Sequence, residues 1–167
     1  MESTSSRHEK RWRRWQSRVP AKTRLLSELL RTKLTAVVEE AGFSKVDLEL
    51  DRPDRPVEGN ELRFERDSGP YIDVIYAFFD KYDSPRFQIV FSRRMRASPE
   101  RIVSSGRLTR NATQRYHEWG KPRWLPIALW SGELAKSCVD EAVHRMPLVL
   151  DALVAEDRKA RTANEVT

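Results

Sequence analysis

Residues 61–92 read ELRFERDSGPYIDVIYAFFDKYDSPRFQIVFS, and apolar residues alternate with polar ones along most of this stretch. Such alternation is typical of β-strands, because successive side chains of a strand point to opposite faces of the sheet. The turn-forming sequence Asp-Ser-Gly-Pro at 67–70 and a second turn at 81–85 divide the stretch into strands at 62–66, 71–80 and 86–92. The pattern therefore predicts consecutive antiparallel strands.

The residues before this stretch predict a helix followed by one more strand. Leucine, valine and alanine recur at three- and four-residue steps along 20–41, which is typical of an amphipathic helix. Gly42 stands where a helix needs a left-handed residue to end, and we expect Phe43 to fold back on Val38. Apolar and acidic residues then alternate along 46–50, which predicts the first strand of the sheet.

The second half of the chain predicts further helices and a long aromatic segment. Ser98, Pro99 and Glu100 resemble a helix start, so we expect a short helix over 98–106. Residues 107–130 lack periodicity but are rich in tryptophan, and we expect them to pack across the second face of the sheet. From Ser131 an apolar stripe continues past Pro147, which favours one kinked helix.

These elements predict an α+β fold with a four-stranded, mainly antiparallel sheet, a meander, and with the N- and C-terminal helices packed on one face. A chain of 167 residues suits one ordinary core. We expect a single domain over 20–159, a frayed tail over 160–167, and a flexible basic arm over 1–19 whose first eighteen residues are dispensable for folding. The arm has a second interpretation, in which its two tryptophans, Trp12 and Trp15, dock on the domain while its arginines face solvent.

The charge is unevenly distributed along the chain. Residues 44–80 hold five Lys and Arg against ten Asp and Glu, or −5, whereas residues 81–130 hold eleven against three, or +8, within a net charge of +6. One acidic and one basic half can steer a charged partner or satisfy each other internally. The single cysteine, Cys138, excludes an intramolecular disulfide and predicts a reducing compartment, so we expect a cytoplasmic protein without a membrane span.

The sequence offers no motif that assigns a reaction. The three histidines and Cys138 have no partner at metal-ligand spacing, and no glycine-rich phosphate loop is present, so we predict no metal, no cofactor and no catalytic residues. The run Tyr-His-Glu-Trp at 116–119 is the one cluster with residue types for acid–base chemistry. An enzyme of unknown reaction is therefore the third of three hypotheses, behind two kinds of binding protein.

The first hypothesis is a non-enzymatic protein-binding module. Arginine and tryptophan dominate interface hot spots, and they concentrate in the aromatic segment. The predicted partner-binding residues are Arg115, Tyr116, Trp119, Arg123 and Trp124. The second hypothesis is nucleic-acid binding through the arginine-rich segment 93–123 and the N-terminal arm, with phosphate contacts predicted for Arg93, Arg94 and Arg96.

Several segments together resemble a bacterial family catalogued as domain of unknown function 4304. They are the helix ending in Gly42-Phe43, the strand sequences LRFER at 62–66 and FQI at 87–89, and the terminal helix with Met146-Pro147. The resemblance implies an α+β domain from a bacterium, and it brings no catalytic residues that would be transferred to this chain.

Overall fold

The computed structural model describes residues 4–46, 59–80, 83–110 and 118–164. Four helices are described: α1 (Thr4–Arg18), α2 (Ala21–Glu40), α3 (Gly132–His144) and α4 (Met146–Asn164). Six strands are described: β1 (Ser44–Lys45), β2 (Glu61–Ser68), β3 (Tyr71–Phe79), β4 (Arg86–Met95), β5 (Ile102–Arg107) and β6 (Trp119–Gly120). A 3₁₀ turn at Ile127–Leu129 precedes α3.

The strands form one antiparallel sheet in the order β1-β2-β3-β4-β5, and β6 pairs with the start of β4. This confirms the predicted α+β class and the meander, although the described residues contain six strands and not four. The expected strand over 46–50 lies mostly outside the described residues; the structure places β1 just before it, and the amide of Val46 donates to the carbonyl of Arg63 at 3.0 Å.

Helix α2 ends as its sequence predicts. Gly42 has φ +85°, the left-handed conformation that glycine adopts without steric cost. The amide of Gly42 donates to the carbonyl of Glu39 and that of Phe43 to the carbonyl of Val38, both at 2.9 Å. These bonds satisfy carbonyls of the last turn that have no partner within the helix. The chain therefore reverses sharply and carries Phe43 into the core.

The core lies between the helices and one face of the sheet. The strand register aligns Phe64 with Ile75 and Ala77 with Ile89, and all four side chains are fully buried. They share one apolar cluster with residues from the helices, among them Leu26, Leu30, Leu34, Val139, Met146 and Leu153. The helices thus cover the same face of the sheet, as the alternation of apolar residues predicts.

The prediction of a short helix over 98–106 is wrong, because those residues form a turn and strand β5. The carbonyl of Arg101 accepts the amide of Met95 at 3.1 Å, and the amide of Arg101 donates to the carbonyl of Ser98 at 2.8 Å. A helix of about two turns is marginal on its own. Pairing with the edge of β4 satisfies the backbone of this segment instead, and Ile102 and Val103 favour a strand.

The terminal apolar stripe belongs to two helices and not to one kinked helix. Helix α3 ends at His144 and α4 begins at Met146, with Pro147 in its first turn. Proline has no amide hydrogen and disfavours helical dihedrals at the preceding residue, so it suits the start of a new helix better than the interior of an old one. Helix α4 includes 160–164, which were expected to fray.

The expected flexible arm is largely helical in the structure. Residues 4–18 form α1, and its Trp12 and Trp15 are buried, with ring centroids 5.9 Å and 5.2 Å from that of Phe79. The structure thus corresponds to the second interpretation of the arm, because a tryptophan side chain contributes a large apolar area when it docks on a core. The division into an arm, a domain over 20–159 and a tail stays a prediction.

Candidate binding surface

Trp119 belongs to the core and not to a surface. Only 1% of it is exposed; its ring stacks on Phe87 with centroids 6.5 Å apart, and its Nε1 donates to the carbonyl of Leu108 at 2.9 Å. Two expectations are therefore wrong. Trp119 is too deeply buried to contact a partner, and it lies on the helix-covered face of the sheet and not on the second face. Position 120 requires glycine, because φ is +112° there and a Cβ would lie 2.3 Å from the carbonyl oxygen of Pro85.

Two lysines hold the segment that follows by its backbone carbonyls. The Nζ of Lys121 donates to the carbonyls of Pro122 and Leu125 at 2.9 Å and 2.5 Å, and the Nζ of Lys22 donates to those of Ile127 and Ala128 at 2.6 Å and 3.1 Å. Burial lowers the pKa of Lys121, with a smaller contribution from the nearby positive charge of Arg86. These bonds give a non-periodic segment a fixed conformation.

Large apolar side chains project from this segment into solvent. Trp124 is 81% exposed, Ile127 49% and Leu129 63%. Leu25 of α2 is also exposed, and its Cδ2 would lie 3.3 Å from a Cβ built on Gly132 at the start of α3. We call Leu25, Trp124, Ile127 and Leu129 the Trp124 surface.

The sequence indicated Trp124 but not the other three residues of this surface. Leu25 belongs to the apolar pattern of α2, so the sequence assigned it to the core. Ile127 and Leu129 follow Pro126 in a segment without periodicity, and a run of that kind indicates neither a buried face nor an exposed one.

Of the other predicted partner-binding residues, the structure describes only Arg123. Its Nη2 lies 3.0 Å from Oε1 of Glu118 and its Nε lies 3.2 Å from Oε2, a two-point ion pair, while the side chain remains mostly exposed. Nη1 of Arg86 lies 3.6 Å from the same carboxylate. Arg115 and Tyr116 lie outside the described residues, so their role in partner binding stays a prediction.

The predicted phosphate-contact residues have different environments. Arg93 is 1% exposed; its Nε lies 2.6 Å from Oδ1 of Asp73, and its Nη2 lies 3.0 Å from Oδ2. Arg94 is half-buried. Arg96 is exposed, but it pairs with Asp67 and its Nε donates to the carbonyl of Gly69 at 2.9 Å. Arg93 is therefore inaccessible to a phosphate, and Arg96 braces the turn between β2 and β3.

Cys138 and the acidic residues of the described chain form no metal centre. Among the residues that the structure describes, no group of three or more His, Cys, Asp or Glu side chains is arranged to hold a metal ion. Cys138 is buried, and burial raises the pKa of its thiol, so it packs as a small apolar residue beside Ala142 and Val139. In the same part of the chain, no helix is long and apolar enough to cross a membrane.

No protein-family model matches the chain, and neither a curated protein nor a solved structure is significantly similar to it. The resemblance to the bacterial family of unknown function therefore stays a prediction.

Proposed function

We propose that this chain is a non-enzymatic protein-binding module whose contact surface is the Trp124 surface. The observation that carries the proposal is the position of Trp124, a large apolar side chain left 81% exposed on a segment fixed by hydrogen bonds. Single exposed apolar residues are ordinary in folded proteins, whereas a group of them that includes an exposed tryptophan is typical of a contact site.

The fixed conformation of the segment favours binding. Lys121 and Lys22 anchor the backbone on both sides of Pro126, so little conformational entropy remains to be lost when a partner packs against the side chains. Tryptophan has few rotatable bonds and a large area, and for these reasons it is enriched in hot spots.

The edge of the surface is polar, as the rim of an interface usually is. Arg123 lies next to Trp124 and presents a guanidinium group that Glu118 neutralises in part. The partner that fits this arrangement has an apolar pocket for the indole ring and hydrogen-bond acceptors at its edge. The proposed location is the cytoplasm, where the thiol of Cys138 would stay reduced.

The test compares Trp124 with an apolar residue that is exposed elsewhere. A photo-crosslinking amino acid is placed at position 128, an exposed alanine between Ile127 and Leu129, or at position 148, since Leu148 of α4 is 59% exposed and lies outside the proposed surface. The partner crosslinked in cells is identified, purified and titrated against the wild-type chain, Trp124→Ala and Leu148→Ala. We expect Trp124→Ala to weaken binding by about 30-fold or more, the loss that defines a hot spot, and Leu148→Ala to have little effect.

Thermal melts separate a lost contact from a lost fold. Because Trp124 is exposed, Trp124→Ala should melt within about 2 °C of the wild type. Equal crosslinking at both positions, or equal affinity of both alanine variants, would contradict the proposal.

A further inference from the structure

The junction of α1 and α2 carries a dense positive charge, and the carboxylates of the described residues neutralise only part of it. Residues 10–24 contain seven Lys and Arg and no Asp or Glu. We call Arg14, Arg18, Lys22 and Arg24 the cationic corner. No carboxylate of the described part of the chain forms an ion pair with any of these four.

Arginines elsewhere in the described chain are often neutralised. In the segment 93–123 four arginines pair with acidic residues, Arg93 with Asp73, Arg96 with Asp67, Arg110 with Glu141 and Arg123 with Glu118. The arginine-rich segment 93–123, which the sequence indicated as a nucleic-acid site together with the N-terminal arm, therefore presents less net charge to a partner than its composition suggests. At the cationic corner, by contrast, none of the four cations forms an ion pair with a carboxylate of the described residues.

Backbone contacts position two of these cations without cancelling their charge. Arg24 donates from Nε to the carbonyl of Gln16 at 3.0 Å and from Nη2 to that of Val19 at 3.4 Å, at the C-terminal end of α1. Lys22 is anchored on the carbonyls of the 3₁₀ turn. Arg14 and Arg18 are exposed one helical turn apart, about 6 Å along the axis of α1. The corner is thus a preformed, arginine-rich surface.

The exposed side of α1 near the corner is polar, since Trp12, Trp15 and Val19 are buried. The side of α1 that carries Arg14 and Arg18 therefore offers no aromatic ring on which an unpaired base would stack and no apolar side chain that would enter a bilayer, whereas the exposed Ile127 adjoins Lys22. A positively charged surface rich in arginine suits phosphates, because the guanidinium group of arginine can form two parallel hydrogen bonds with one phosphate group. The major groove of B-form DNA, about 12 Å wide, admits the exposed flank of a helix, whereas that of A-form RNA is too narrow for side chains to read.

We propose that the cationic corner binds the phosphate backbone of double-stranded DNA without reading its base sequence. The corner borders the Trp124 surface, because Lys22 donates to the carbonyl of Ile127 and Arg24 precedes Leu25 in α2. The proposal uses the cations and not the apolar side chains, so it does not rest on the protein-binding function. It keeps the expected N-terminal arm but not Arg93, Arg94 and Arg96, because its cations form no ion pair with a carboxylate of the described residues.

The experiment measures the binding of the full chain to a fluorescein-labelled DNA duplex of about 20 base pairs by anisotropy, between roughly 50 and 200 mM salt. The test variant is Arg14→Gln with Arg18→Gln. The matched control is Arg101→Gln with Arg107→Gln, because these arginines are also exposed and each double variant lowers the net charge from +6 to +4. All three proteins should melt at the same temperature, since every substituted side chain is exposed.

The two double variants should differ clearly. Loss of two phosphate contacts makes the negative slope of log affinity against log salt shallower by about 1.8, which corresponds to a loss of about 60-fold at about 0.1 M salt. We expect this loss for the test variant and a change of less than about 3-fold for the control, whose arginines make no phosphate contact. Trp124→Ala should bind the duplex as the wild type does.

Four results would overturn the proposal. They are equal losses in the two double variants, no binding of the wild type at low salt, tighter binding to an RNA duplex of the same sequence, and tighter binding to vesicles that contain phosphatidylserine. The last two would assign the corner to a different polyanion.

Discussion

Asp73 is a charged residue buried in the core, where an unpaired charge would be costly. It occupies the helix-facing side of β3, is fully buried, and accepts hydrogen bonds from Arg93 at 2.6 Å and 3.0 Å, from Arg66 at 2.9 Å and from Ser68 at 2.7 Å. The guanidinium of Arg66 also lies over the ring of Phe43, at 4.5 Å from its centroid. A single carboxylate thus balances two buried or half-buried cations.

Asp73→Asn should destabilise the protein by about 3–5 kcal/mol, because removal of one partner leaves buried charge uncompensated. Urea denaturation at neutral pH measures this loss. Asp67→Asn is the control, since Asp67 pairs with Arg96 at an exposed turn and its removal should have little effect. Similar losses of stability in the two variants would show that burial does not determine how much an ion pair contributes to the free energy of unfolding.

The pKa of Asp73 predicts how the difference in stability between the wild type and Asp73→Asn depends on pH. Burial alone would raise the pKa of Asp73, yet the hydrogen bonds from Arg93, Arg66 and Ser68 hold it below its usual value of 3.8. A carboxyl whose folded pKa is depressed stabilises the fold above its unfolded pKa, about 3.9, and this contribution is lost as the pH falls through the folded pKa. The stability gap between the wild type and Asp73→Asn should therefore be constant above about pH 5 and narrow in stronger acid. A gap that widens on acidification would contradict this origin.

At the scale of elements, α1 shows how burial outweighs composition. Its sequence is dominated by arginine, which indicated a solvated arm, but Trp12 is fully buried against Phe79, and Arg31 lies over its ring at 5.4 Å. The expectation that the first eighteen residues are dispensable for folding stays a prediction, and the burial of Trp12 argues against it. Two tryptophans on one side of a helix are enough to dock it, however polar its other side is.

Trp12→Ala should therefore lower the free energy of unfolding by about 3–5 kcal/mol, as large-to-small changes of buried aromatic residues do. Arg14→Ala is the control on the exposed side of the same helix, and it should change stability by no more than about 0.5 kcal/mol. Chemical denaturation of both variants checks the pair. If Trp12→Ala were as stable as Arg14→Ala, α1 would be an appendage and not part of the core.

Elements with a strong apolar period were predictable, and elements defined by a few local signals were not. The period along α2 and its glycine end gave that helix correctly, because one-sided burial is a property of the whole segment. The signals at Ser98, Pro99 and Glu100 fit a helix start and a turn equally well. Only the pairing of β5 with β4 decides between them.

At the scale of the whole molecule, the sequence predicted charge segregation and left two consequences open, the steering of a charged partner and internal pairing. Pairs such as Asp73 with Arg93 and Asp67 with Arg96 join the acidic block to the basic block, so part of that contrast is satisfied internally. The candidate binding surface was predictable only in part, because composition does not determine which side chains are buried. Trp119 and Trp124 share a segment and a composition, yet β6 pairing buries the first and leaves the second in solvent.

The division of the molecule into a helix-covered side and an opposite side of the sheet can be tested on adjacent residues of β4. Ile89 is fully buried among the helices, whereas Gln88 is half-buried on the opposite face, across from Phe78. A carboxylate at position 89 would lose its hydration without gaining a partner, at a cost of several kcal/mol, which is comparable to the whole stability of a typical domain of about 5–15 kcal/mol. Ile89→Asp should therefore lose the cooperative melt, and Gln88→Asp should keep it near the wild-type temperature. Because the two positions differ only in which face they point to, a cooperative melt of Ile89→Asp would mean that the helices do not share one core with this face.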